Sequence, residues 1–249
     1  GVGSIAQSGS GTLFLTGTNT YSGATYINSG TLSVGSGGST GTFGSGAITN
    51  NGILLVNRTG SITIANDITG TGSLNKLGSG TLTLSGANTY TGGTNFNAGT
   101  LNVNSSSALG SSGTLSFGGG TLQYSANNNT DYSARASNAA SQAYKIDTNG
   151  QNITWSSNLT SSGGTLTKLG TGTLTLTGTN TFAGDTTITA GTLQLGNGGS
   201  TGSLASTNIV DNGTLAFNTN VDTTGAYNIS GTGGLQVTGI TRGSALYSG

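Results

Sequence analysis

Apolar and polar residues alternate along many short stretches of this chain. In Gly80-Thr81-Leu82-Thr83-Leu84 the leucines fall on one side and the threonines on the other. That period of two predicts a β-strand with a single buried face. The same G-T-L-x-L pattern pairs Leu13 with Leu15 and Leu174 with Leu176. In all three places G-T-L-x-[VL] returns at one constant spacing, giving Leu32 with Val34, Leu101 with Val103 and Leu193 with Leu195. Gly52-Ile53-Leu54, Gly113-Thr114-Leu115, Gly120-Thr121-Leu122 and Gly213-Thr214-Leu215 extend the series. No apolar stripe of period 3.6 persists, and windows rich in Gly and β-branched Thr disfavour helix.

The strand pattern is itself repeated. Residues Gly9 to Gly78 align without a gap to Gly170 to Gly239 at a constant offset of 161, and a third copy of the leading motif starts at Gly78. The motif copies are 9–34, 78–103 and 170–195. Their offsets, 69, 92 and 161, are all multiples of 23. Short strands between Gly/Asn/Ser turns suit a sandwich, barrel, propeller or solenoid. A period near 23 is too short for a four-stranded propeller blade and fits one turn of a coil. The expectation is an all-β, single-stranded parallel β-helix (β-solenoid) of about 23 residues per coil and about 11 coils, forming a single domain over 1–249. Within each motif, Asn19, Asn88 and Asn180 mark turns, followed by Tyr21, Tyr90 and Phe182 and then by Gly23, Gly92 and Gly184. Asn and Gly tolerate the backbone of a sharp corner, and the aromatic either caps that corner or packs inside it.

Composition narrows the function. The chain of 249 residues has 48 Gly, no Pro, Cys, Met or His, and 12 charged side chains that balance to zero. An apolar share of 31% is low for one compact core but sufficient for a thin core threaded through a solenoid. Without Cys there is no disulfide framework or thiolate metal site. A net charge near zero leaves no electrostatic footprint for nucleic acid or anionic lipid. No apolar run is long enough to insert in a membrane as a helix.

The longer string L-[TN]-K-L-G-[ST]-G-T-L-T-L-[ST]-G-x-N-T-[YF]-x-G, read from Leu74 and again from Leu166, resembles the autotransporter-associated β-strand repeat, also called the passenger-associated transport repeat. The segment Gly118 to Gly170 is similar to linking sequence in such arrays. The resemblance implies a right-handed parallel β-helix in the secreted passenger of a bacterial type V secretion protein, at the outer surface or outside the cell, with no catalytic residues. No series of membrane-barrel strands and no signal peptide is visible, which suggests a passenger-like fragment or a different use of the repeat. The termini, the last being Ala245-Leu246-Tyr247-Ser248-Gly249, carry no evident cap. Open strand edges invite pairing, so a partner to expect is a second copy stacked end to end into a filament.

Candidate chemistry is sparse. The acids are Asp67, Asp131, Asp147, Asp185, Asp211 and Asp222, spaced so that several do not share one face of a coil of that period. Asp131, Arg135, Lys145 and Asp147 form the densest charged group, in the least regular stretch, which reads as a solvated excursion. No His, Cys or Glu is present to activate a nucleophile, and Gly37-Gly38 and Gly198-Gly199 lack the Asp of Ca²⁺-binding β-rolls. The expectation is therefore no catalytic, cofactor or metal site and no enzyme. Threonine rows (Thr171, Thr173, Thr175 and Thr177; Thr81 and Thr83) have the chemistry of an ice-binding face, or are simply exposed β-branched residues. Tyr132, Tyr144 and Trp155 either stack on glycans or fill the core. The chain thus reads as a structural rod or stalk, with a glycan- or host-binding adhesin as the alternative and a polysaccharide-acting enzyme third.

Overall fold

The computed structural model describes residues 1–221 and 226–238. Asp222 and the terminal segment Ala245 to Gly249 lie outside the described residues. The chain divides into two compact units, Gly1–Leu122 and Gln123–Gly249. All strands described are short, and every strand pair is parallel, joining one coil to the next. This is a β-solenoid.

The first unit carries three parallel sheets. Ile5–Gln7, Thr25–Ile27, Ile48–Asn50 and Ile68–Thr69 form one. Thr12–Leu15, Thr31–Val34, Ile53–Asn57, Ser73–Leu77, Thr94–Phe96 and Leu115–Phe117 form the second. Ile62–Ile64, Thr81–Leu84 and Thr100–Val103 lie side by side in the third. In the second unit, Ala143–Asp147, Thr165–Leu169, Thr186–Ile188, Asn208–Asp211 and Asn228–Ser230 stack on one face. Ile153–Trp155, Thr173–Leu176, Thr192–Leu195, Thr214–Asn218 and Gly234–Thr238 stack on another, and Thr179–Asn180 with Ser203–Leu204 make a short third row.

Register corrects the coil length. Leu13, Leu32, Leu54 and Leu74 lie one above another, so successive rungs step by 19, 22 and 20 in sequence number. The step per coil is therefore nearer 20 than 23. Three turns carry Leu13 to Leu74, and a further short advance along the chain reaches Leu82, which belongs to the next sheet round, beside Ile62 and Leu101. The offset of 69 between the first two copies is three turns plus one face. Thr12–Leu15 of the first copy consequently shares a sheet with Ser73–Leu77, the strand that leads into the second. Within each copy the geometry is constant: Thr12 pairs with Thr31, Thr81 with Thr100 and Thr173 with Thr192, always at the same offset.

The core follows the alternation. Leu82, Leu84, Leu101, Val103, Leu174, Leu193 and Leu195 are buried, while Thr81, Thr83, Thr100 and Thr192 between them are only partly covered. The corner aromatics pack inside. Tyr90 and Phe182 are fully buried, and the Tyr90 hydroxyl is 2.7 Å from Thr94 Oγ1. Tyr21 makes the same 2.7 Å contact with Thr25. The copy at 170 has Phe182 in that place, and the buried hydroxyl of Thr186, the counterpart of Thr94, has no partner. Phe182→Tyr is therefore expected to restore the bond and raise stability by about 1 kcal/mol in urea unfolding; a loss of stability would show that the cavity does not admit the hydroxyl.

The corner asparagines join coils. Asn88 accepts from Ile68 N on one rung and donates to Ala108 O on another, and Asn180 accepts from Leu159 N and donates to Ser203 O. These bonds supply partners for backbone groups that no strand ladder reaches at a corner.

Candidate functional site

The lysine of the repeat string, which sequence reasoning left without a role, is a buried structural cation. Lys76 and Lys168 take inward positions on Ser73–Leu77 and Thr165–Leu169 and are almost wholly buried. Lys76 Nζ donates to Leu77 O, Gly78 O and Ala98 O at 3.0, 2.6 and 3.2 Å. Lys168 Nζ repeats this with Leu169 O, Gly170 O and Ala190 O at 2.9, 2.7 and 3.1 Å. The first copy has Gln7 instead, whose amide donates to Gly9 O and Gly11 O, both at 2.9 Å. The turn above is closed by Gly30, Gly99 or Gly191, with φ of 63°, 63° and 66°. A Cβ on Gly99 would stand 2.5 Å from Gly78 O and 2.7 Å from Lys76 Nζ, so only glycine fits over the cage.

Two predictions arise from this cage. Lys76→Ala leaves buried carbonyls without that donor and should cost about 1–3 kcal/mol, whereas Lys76→Gln, copying Gln7, should cost less than about 1 kcal/mol. Equal losses in urea unfolding would mean that the carbonyls have other donors. Burial lowers the ammonium pKa of both lysines from 10.5 to about 8; Lys168 also feels Asp147, which pulls the other way. The unfolded chain then binds more protons than the native one between those values, so stability should rise as pH climbs through about 8 toward 10.5. A urea midpoint that is higher at about pH 9.5 than at about pH 7, with the rise reduced in Lys76→Gln/Lys168→Gln, is the expected result. A flat profile would contradict it.

Among the described residues the acids do not converge. Asp67 accepts from Ala87 N, Asp185 from Asn208, and Asp147 from Gln123 and Asn149 N. Asp211, buried where the first unit has Asn50, accepts from Gly213 N. Burial pushes the Asp131 carboxyl up, but hydrogen bonds from the backbone and hydroxyls of Ser133 and Ser156 outweigh it and hold its pKa below the ordinary value. Asp131 therefore pins the excursion to the coil. Arg135 ends the single-turn 3-10 helix Ser133–Arg135, and Lys145 points outward from Ala143–Asp147. Among the described residues no group of three or more His, Cys, Asp or Glu could hold a metal.

The aromatics expected either in the core or on the surface are in the core, which removes them as a glycan platform. Trp155 and Tyr144 are fully buried and Tyr132 is 3% exposed. Trp155 Nε1 donates to the Tyr124 hydroxyl at 2.8 Å, and the Tyr144 hydroxyl donates to Ser137 O at 2.7 Å. Burial holds the Tyr124 hydroxyl far above its usual pKa. The threonine row is broken as well. Thr175 is buried, and its neighbours in register are Thr154, Gln194 and, beyond Gln194, Ala216.

Several outward rows are polar, although Phe14, Tyr26, Ile53, Val210 and Val237 are also exposed. In the first unit Thr63, Thr83 and Asn102 stand in register, as do Asn75, Asn95 and Ser116, with the Asn95 amide donating to Asn75 Oδ1 at 2.5 Å. In the second, Thr167 and Thr187 stand in register between the cationic Lys145 and the exposed Val210. Rungs about 4.8 Å apart make the polar rows of the first unit ladders of hydroxyls and amides, suited to hydrogen bonding with a polar surface.

A parallel β-solenoid with polar outer ladders defines a repeat-built scaffold. The passenger-associated-transport-repeat family matches residues 5–34, 74–103 and 166–195, so the chain carries three of these repeats. Each match begins a little before the copies at 9, 78 and 170, and so takes in the strand bearing Gln7, Lys76 or Lys168. The chain is similar to the adhesin BmaC autotransporter of Brucella suis biovar 1, with 47% identity over 174 residues, 70% of this chain. It spans 5% of that protein's length. No solved structure matches the chain.

Proposed function

We propose that this chain is part of the passenger of an autotransporter adhesin, secreted to the bacterial surface, and that it acts by contact rather than by catalysis. The observation that carries the reading is the 47% identity to an autotransporter adhesin along most of the chain. The outward hydroxyl and amide ladders support it, because they match the hydrogen-bonding groups of glycans. Asp131 and Asp147, the acids an enzyme would draw on, are occupied in holding turns.

Beads coated with the purified chain should bind a glycan array or host-cell surface. Thr63→Lys/Thr83→Lys/Thr187→Lys, which charges the outer rows without touching the core, should weaken that binding at least tenfold while leaving thermal unfolding unchanged. Absence of binding by the unmodified chain would sink the adhesin reading. Turnover of a pectin-like polymer that is lost on Asp131→Asn would favour the enzyme instead.

A further inference from the structure

The gapless duplication turns one half of the molecule into a control for the other, and one of their buried differences changes what a loop encloses. Arg58 in the first unit aligns with Thr219 in the second, at the same offset of 161 that relates Ser39 to Ser200 and Gly41 to Gly202. The backbone of the two loops, 35–41 and 196–202, matches closely. Gly35, Gly37 and Gly41 have φ of 80°, 96° and 111°, and Gly196, Gly198 and Gly202 have 80°, 81° and 102°. Gly37 N donates to Asn57 O at 2.9 Å, and Gly198 N donates to Asn218 O at 2.7 Å. On the side where a Cβ would stand, Gly35 meets Asn57 O, Arg58 Cγ and Thr40 O. Gly196 meets Asn218 O, Thr219 Cγ2 and Thr201 O. The two side chains therefore leave the strand along one path, and Thr219 stops where Arg58 continues.

In the first unit the guanidinium of Arg58 fills the space beneath the loop. It donates to Gly41 O, to Ser39 O at 2.5 Å and to Ser61 O at 3.4 Å. In the second unit the corresponding space, on the side of Ser200, Gly202 and Thr219, is part of a cavity of about 260 Å³ that reaches Phe217 and Tyr227; in the first unit only the side toward Thr42, Phe43 and Asn66 is open. No donor among the described residues reaches Ser200 O or Gly202 O, the counterparts of the carbonyls that Arg58 satisfies. The cavity also gains two rings. Val56 is replaced by Phe217 and Asn66 by Tyr227, and the rings lie 5.8 Å apart. Backbone carbonyls together with aromatic faces are the surroundings a guanidinium prefers.

We infer that this cavity is a binding site for a guanidinium group, and that its natural occupant is an arginine side chain of a protein partner. The Arg58 contacts supply the template: a planar fork reaching paired loop carbonyls from a buried stem. Thr219 removes the internal ligand and leaves the receptor. A lysine ammonium would lack the flat face that stacks on Phe217 and Tyr227, and a neutral amide, though it can reach two carbonyls as Gln7 does, would lack the positive charge that the ring faces attract. The inference stands independently of the adhesin reading.

The test is an NMR titration of the whole chain with N-acetyl-arginine methylamide, with the citrulline analogue as an isosteric neutral control. One site of about millimolar affinity is expected, at least tenfold tighter than for citrulline, with shifts centred on Gly202, Val221 and Tyr227. Thr219→Arg should abolish it by supplying the guanidinium internally. Arg58→Thr/Val56→Phe/Asn66→Tyr should create a second site in the first unit and raise the stoichiometry from one to two, a readout that holds even if Thr219→Arg fails to fold. No shifts up to about 50 mM probe, equal response to citrulline, or binding that survives in folded Thr219→Arg would each overturn the inference.

Discussion

Replacing Trp155 with alanine should destabilise the chain by about 3–5 kcal/mol. Trp155 is the largest fully buried side chain, inward-facing on Ile153–Trp155 and in register with Leu176 of the next coil. Its removal opens a cavity in a core only one side chain thick, where few neighbours can move in to fill it. It also deprives the Tyr124 hydroxyl of the indole donor at 2.8 Å. That hydroxyl still has Thr130 O at 3.1 Å as its acceptor. Trp155→Phe, which keeps most of the volume and loses the N–H, should therefore cost clearly less than Trp155→Ala. Urea unfolding followed by far-UV circular dichroism reads both. A loss below about 0.5 kcal/mol for Trp155→Ala would return the residue to the surface. Any loss of glycan binding in this variant would have to be ascribed to lost structure, which is why the outer threonines, and not Trp155, are the appropriate probes of adhesion.

Leu82→Ala is the second large effect, expected at about 2–5 kcal/mol. Leu82 is fully buried and lies between Ile62 and Leu101 in register on adjacent coils. In a solenoid each rung contacts chiefly the rungs on either side, so the lost contacts fall on two interfaces at once. The neighbouring Thr83 faces outward, and Thr83→Ala should stay within about 0.5 kcal/mol. The contrast between adjacent residues is the sharper measurement. Similar costs at 82 and 83 would contradict a single buried face on this strand.

The candidate site was legible only in part. The neutral outer surface could be anticipated from the scarcity of charged residues and from threonine on the outward positions. The role of Lys76 and Lys168 was not anticipated, although the residue stands inside the repeated string. On a strand that alternates, its inward position was a signal, because a lysine on the buried face needs acceptors. Only the fold shows that carbonyls of its own turn and of the next coil supply them.

The sequence alone determined the strands and which side of each is buried, because side-chain direction alternates locally and needs no distant contact. It also determined the corners, through Asn88, Asn180 and the aromatic two positions later, and the parallel stacking, through the return of one motif at short intervals. The tertiary structure decided the coil length, because that depends on how much chain each corner consumes. The step is short between Leu13 and Leu32 and longer between Thr179 and Ser203, and only interstrand register reveals it. Register likewise moved successive repeats onto different faces, placed Trp155 in the core, and showed that where Arg58 fills its loop, Thr219 leaves a cavity. Each of these outcomes depends on which rungs lie against one another, a long-range relation that no local pattern encodes.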